Sequence, residues 1–259
     1  MPLIRTAPAA GLGTFNRIIA SAAAAGILAG LLLTGVQQLR VAPIILQAEV
    51  FESAVPKALE VAAPHSHADA APHEHSHDAK PHEHAEEGAH EHGGWQPDDG
   101  AERTFYTALA NISAGVGFAL LLAAAIGLHG GASGWRAGLL WGAAGYTVFF
   151  LAPSVGLPPE LPGTVAAPLL ARQMWWAATV MASAGGLALM VFAKHWPLRI
   201  AGALLLFVPH LVGSPQPAVH SSSAPPELAR SFLYATLLAN AAFWLAMGAL
   251  AGYFYKKFG

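Results

Sequence analysis

The sequence predicts an all-α protein: a polytopic bundle of membrane helices, with six spans (or, by the narrower count, five) and a long His-rich loop outside the bundle. Three observations carry this. Hydrophobic residues make up 54% of the 259-residue chain and charged residues only 11%, with a mean hydropathy of +0.46, whereas a soluble domain carries about 25% charged residues. Apolar runs near 20 residues, the length that crosses ~30 Å of hydrocarbon as a helix, recur along the chain. The carboxylates are gathered in one place, 13 of 15 falling between Glu49 and Glu102.

Taken in order, residues 1–40 hold an N-terminal segment and a first span at 18–36. Arg5 and Arg17 precede that run, as in a signal peptide. However, the run is long and no small-x-small site is followed by a polar mature start, so it reads as a retained helix. Residues 41–104 form the loop, which opens on an apolar stretch at 41–46 and contains the His-rich tract at 64–93. Residues 105–259 supply four or five further spans, at 105–128, 135–152, 175–192, 232–253 and, more weakly, 198–212. That last run is short and contains Pro209, so it reads as a tilted, broken or re-entrant segment. Trp95, Trp135, Trp175, Trp176, Trp196 and Tyr253 stand at span ends, where interfacial aromatics belong. Gly26/Gly30, Gly138/Gly142 and Gly248/Gly252 each form a small-xxx-small pair suited to close helix packing. With six spans, the short segments holding Arg5, Arg17, Arg136, Lys194, Arg199, Lys256 and Lys257 fall on one side, and the positive-inside bias makes that side cytoplasmic. The His-rich loop is then extracytoplasmic.

Composition excludes several classes. There is no cysteine, which removes disulfides, thiolate catalysis and Cys-bound zinc or iron–sulfur centres. No basic patch points to nucleic acid. No phosphate-binding G-x-x-x-x-G-K-[ST] loop and no nucleophile–base pair suggests an enzyme.

Nine of the 13 histidines lie in the tract: His65, His67, His73, His75, His77, His82, His84, His90 and His92, most in His-x-His steps behind prolines and beside carboxylates. Such composition buries too little to order itself. Neutral imidazole with carboxylate suits cobalt, nickel, copper or zinc, so the tract reads as a tethered collector of divalent cations. An inert linker or a pH sensor is the plainer alternative, and the His-x-His spacing favours metal. The string HEHSH at 73–77 matches H-E-x-x-H, but that zinc site needs one rigid helix, and Pro72 and Pro81 bracket it here.

No Asp, Glu or Lys lies inside a predicted span, so the proton relays of coupled transporters are missing. Neutral candidates for a transport path are Gln38, Asn111 and Asn240, each of which also reads as an interhelical hydrogen bond. His210, after Pro209 in the short span, sits where interrupted helices build ion sites, although a histidine capping an interfacial helix is an equal reading. With His220 and Glu160 it is placed at the outer mouth as a candidate metal ligand. Met174, Met181 and Met190 read as packing.

Several segments together resemble the CbtA family of predicted cobalt transporter subunits. They are Gln37-Gln38-Leu39 with 47–52 (QAEVFE), the His tract, 95–111 (WQPDDGAERTFYTALAN), 151–163 (LAPSVGLPPELPG), 171–176 (ARQMWW), Pro209-His210 with Pro215-Gln216-Pro217, and 240–244 (NAAFW). The resemblance implies a bacterial inner-membrane subunit for uptake of cobalt, or of nickel, linked to cobalamin synthesis. The ion would be cargo, with no tightly bound cofactor. The implied partner is CbtB, a small single-span membrane protein that also carries histidines. The resemblance also implies five spans, and it supplies no ligand residues.

Overall fold

A computed structural model describes residues 12–62, 97–130 and 134–259, and the His tract and Trp95 lie outside the described residues. The described chain is helical: α1 (Leu12–Arg40), α2 (Ala42–Ala62), α3 (Ala101–His129), α4 (Trp135–Tyr146), a π turn (Thr147–Leu151), α5 (Ala152–Gly156), α6 (Leu169–Phe192), α7 (Trp196–Val212) and α8 (Pro226–Lys257). Among these residues no strand occurs, so the all-α expectation holds. By length and hydropathy α1, α3, the rod from α4 through α5, α6 and α8 can each cross a membrane. The sixth apolar helix, α7, has 17 residues, a rise of about 25 Å at 1.5 Å per residue.

Helix directions follow from which residues touch. Gly26 and Gly30 on α1 meet Gly115 and Ile112 on α3, Gly138 and Gly142 on α4 meet Gly248 and Trp244 on α8, and Gly186 on α6 meets Gly202 on α7. Each pair is therefore antiparallel. Arg17, near the start of α1, donates to the Tyr255 carbonyl near the end of α8 and lies 3.9 Å from the centroid of its ring. The start of α1 and the end of α8 thus share one end of the bundle. At the opposite end, the loop end, 157–168 and 213–225 pair through an antiparallel bridge, Thr164↔Ser222. Short as it is, α7 carries the chain from one end to the other. It is an unbroken helix through Pro209.

All three glycine pairs read from the sequence are packing contacts. A Cβ on Gly30 would stand 2.6 Å from Ile112 Cα, and one on Gly202 would stand 2.6 Å from the Gly186 carbonyl oxygen. A Cβ on Gly138 or Gly248 would strike the partner's carbonyl. Small residues let these backbones approach where no hydrophobic effect drives helices together. Ala22, Ala25, Ala29, Ala119, Ala123, Ala251 and Met247 are fully buried at the same seams, while Leu140, Met181, Leu204 and Leu238 are exposed. An apolar exterior over a small-residue interior suits a bundle solvated by lipid.

The rod bearing α4 is interrupted by its π turn. Pro153 has no N–H to give the Phe149 carbonyl, and the Ala152 amide reaches back to Thr147, the wider loop that defines a π turn. Phe149 is thereby presented to the centre, stacked on Trp244 at 5.5 Å and near Phe118 at 5.1 Å. The α6–α7 hairpin hangs from this rod. Its Trp175, expected at the membrane interface, is instead buried at 9% exposure, because Gly156 leaves room for the indole; its Nε1–H donates to the Pro209 carbonyl at 3.3 Å.

The segment expected as loop from residue 41 begins with a helix. Pro43 falls in the first turn of α2, where its missing N–H costs nothing, and Ala48 is fully buried while Ile44 and Ile45 pack on the core.

Replacing Gly248 with Val should destabilise the protein by about 1–3 kcal/mol, the cost of overpacking, read as a lower thermal unfolding midpoint in detergent. Gly117, which faces open space, should accept Ala within about 0.5 kcal/mol.

Candidate functional site

The loop end is a built structure. Across the Thr164↔Ser222 bridge, Val165 N–H donates to the Ser221 carbonyl at 3.0 Å and Ser223 N–H to the Gly163 carbonyl at 3.1 Å, with the Thr164 and Ser222 hydroxyls 3.0 Å apart. Gly163 has φ +75° and its α-carbon faces Ser223, so a side chain there would be both strained and obstructed. Leu161 and Ala224 anchor the two loops in the buried core cluster that also holds Phe232. Between the loops lies a cleft of about 420 Å³ whose lining includes Glu160, Thr164, Gln216, His220 and Ser222. Two of the three mouth residues named from sequence, Glu160 and His220, therefore share one cavity.

Their surroundings decide what they can do. Glu160 Oε2 lies 3.6 Å from an Arg172 Nη of α6, each side chain about one-third exposed. Gln216 donates its amide to the Ser214 carbonyl at 3.3 Å and to the Ser214 hydroxyl at 2.9 Å. That fixes its Oε1 as the atom 3.2 Å from His220 Nε2. Because Oε1 can only accept, His220 Nε2 carries the proton, and neutral His220 keeps its lone pair on Nδ1. A ring N–H held by a carbonyl with the other nitrogen free is the arrangement of metal-binding histidines. Among the described residues no three His, Asp or Glu side chains gather as a metal cage. The cleft thus offers one carboxylate, one imidazole and neutral oxygens.

The other candidates stand apart from the cleft. His210 packs edge-on against Trp175 at 5.9 Å and is absent from the cleft lining. Asn111 uses both amide hydrogens across the α1–α3 seam, to Thr34 Oγ1 at 3.0 Å and Gln37 Oε1 at 2.7 Å. The partners on α1 are thus Thr34 and Gln37, while neighbouring Gln38 is half-buried and makes no side-chain hydrogen bond among the described residues. Asn240 bonds back to the Thr236 carbonyl of its own helix at 3.0 Å. Among the described residues no hydrogen bond joins Gln38, Asn111 and Asn240 to one another.

Sequence reasoning missed three partners. Gln216 stands out in the sequence only within its Pro-Gln-Pro string, though its i,i+4 spacing to His220 is a usable signal. Arg172 stands there only within the 171–176 segment, although Glu160 is the sole carboxylate between Glu102 and Glu227. The third is Arg103, which clamps Glu49 of α2 at 2.6 and 3.3 Å and Asp99 at 2.9 Å, holding α2 against the start of α3.

A double-mutant cycle between Asn111→Ala and Gln37→Ala should give a coupling of about 0.6 kcal/mol, reaching ~1.7 at most, in unfolding measurements. A coupling near zero would mean that the bond does not join the helices.

Compared with known proteins, residues 15–256 of the 259-residue chain match the family model described as "Probable cobalt transporter subunit (CbtA)". No curated protein and no solved structure matches the chain. A match from the start of α1 almost to the end of α8 takes in every apolar helix and the loop-end cleft, and on that basis the chain belongs to the CbtA family of probable cobalt transporter subunits.

Proposed function

We propose that this protein is the membrane subunit of an uptake system for divalent cobalt, with nickel as a second acceptable ion, and that the loop-end cleft is its intake. The observation that carries the reading is the convergence of Glu160 and His220 on one cavity, in a chain whose family is that of cobalt transporter subunits. In this reading the nine histidines between His65 and His92 gather ions by many weak, fast-exchanging contacts, which raises the local concentration. Glu160 and the Nδ1 atom of His220 then take the ion, with water or hydroxyl oxygens completing its shell. His210 stands apart from the cleft lining as a further candidate ligand, and Gln38, Asn111 and Asn240 offer neutral oxygens farther along.

The charge-poor interior supports a potential-driven conduit. A membrane potential favours inward movement of a divalent ion by about 4.6 kcal/mol per 100 mV. The bundle sits in the bacterial inner membrane in this proposal, with the loop end outside, and a small single-span subunit bearing histidines completes it. The chain does no covalent chemistry.

The test is radiolabelled cobalt uptake into cells or proteoliposomes under an inside-negative potential. Glu160→Gln and His220→Ala should each raise the half-saturating concentration about tenfold, the scale of one lost charged contact. Deleting residues 64–93 should cut uptake about tenfold or more at scarce metal and leave the saturated rate unchanged. If uptake survives combined substitution of His210, Asn111 and Asn240 while that deletion abolishes it, the chain delivers ions to a partner and does not conduct them.

A further inference from the structure

We propose that Arg172 is the cleft's resident counter-ion: it neutralises Glu160 when no metal is bound and is expelled when a divalent cation arrives. The inference rests on the intake reading of the cleft and adds the means by which the ion is released.

Four ion pairs occur among the described residues, all at the loop end. Arg103 grips Glu49 and Asp99 at 2.6 and 2.9 Å, and Arg230 holds Glu227 at 3.2 Å. Arg172 stands off at 3.6 Å from Glu160, outside hydrogen-bonding distance, and it is the loosest of the four. Glu160 lines the cleft and Arg172 does not, so the guanidinium leaves the cavity free for an ion. Arg172 also sits in the first turn of α6, where its amide bonds to the Pro168 carbonyl. The helix dipole is positive there and disfavours a cation. A guanidinium placed against the dipole, held by one long contact and one-third exposed, is easily displaced.

The consequence is an exchange of charges. A bare carboxylate at the edge of an apolar bundle would hold a divalent ion too firmly to pass it on. With Arg172 nearby, the arriving cation must displace a positive charge, and the departing cation leaves behind a carboxylate that is neutralised at once. Arg172 thus weakens binding in return for faster release. Any cation that carries more than one charge and tolerates oxygen with imidazole would be admitted, while a monovalent ion gains nothing over the arginine already there.

Equilibrium and release measurements on the full-length chain, with the nine tract histidines changed to serine so that only the cleft reports, would test this. Cobalt(II) binding is followed by calorimetry in detergent and release by stopped-flow chelation. Arg172→Gln should bind cobalt about fivefold more tightly, the coupling expected of a partly exposed ion pair, and release it correspondingly more slowly. Arg172→Lys should retain wild-type affinity, which loss of guanidinium packing alone would not allow. Glu160→Gln should lose most binding, whichever residue stands at position 172. If Glu160→Gln binds as the parent does, the cleft is not the intake and the functional reading fails. If Glu160→Gln loses binding while Arg172→Gln binds no more tightly than its parent, the intake reading stands and the counter-ion role is overturned.

Discussion

Backbone-to-backbone approach at glycine holds this bundle together. In lipid the hydrophobic effect gives helices no reason to associate, so close van der Waals contact must supply it. Gly138, Gly142, Gly248 and Gly252 press α4 onto α8, Gly26, Gly30 and Gly115 press α1 onto α3, and Gly186 with Gly202 closes α6 on α7. The remaining features hang on those seams. The aromatic cluster of Phe118, Phe149 and Trp244 fills the space they leave, and the loops that form the cleft are brought together because α6, α7 and α8 alternate in direction.

Polar chemistry is segregated along the axis. Within the apolar helices, polar side chains mostly satisfy themselves: Thr34 bonds to the Gly30 carbonyl, Thr179 to Trp175 and Asn240 to Thr236. Every described ion pair lies at the loop end, where water solvates charge and the desolvation cost is small. Residues 97–100, which lead into α3, lie at the same end, with Asp99 held by Arg103. The carboxylate-bearing cleft therefore sits at the charged end of a charge-poor bundle.

Much of the fold could be read directly because lipid imposes a simple rule: about 20 apolar residues for each crossing. The three small-xxx-small pairs announced tight seams through their spacing alone. Which helix each would meet was not legible, since one glycine pair fits any partner that is equally small. The choice between six and five spans turned on α7, which is too short for the length rule; the structure shows five helices long enough to cross, with the 17-residue α7 paired to α6 along Gly186 and Gly202. Trp175 illustrates the opposite failure. A tryptophan at a span end is usually an interfacial anchor, and only Gly156 beneath the ring reveals that it is buried.

The site shows the same division. From the sequence alone came the segregation of charge, the His-x-His repetition of the tract, and His210, His220 and Glu160 as candidates near one mouth. Those are properties of residue type and order, and they need no coordinates. Only the tertiary structure paired Glu160 with Arg172, aimed Gln216 at His220 Nε2 so that Nδ1 stays free, and chose Gln37 over Gln38 as the partner of Asn111. The last case gives the physical reason for all three. One residue along an α-helix turns a side chain by about 100°, so neighbours of the same chemistry face different surroundings, and only packing says which of them reaches the other helix.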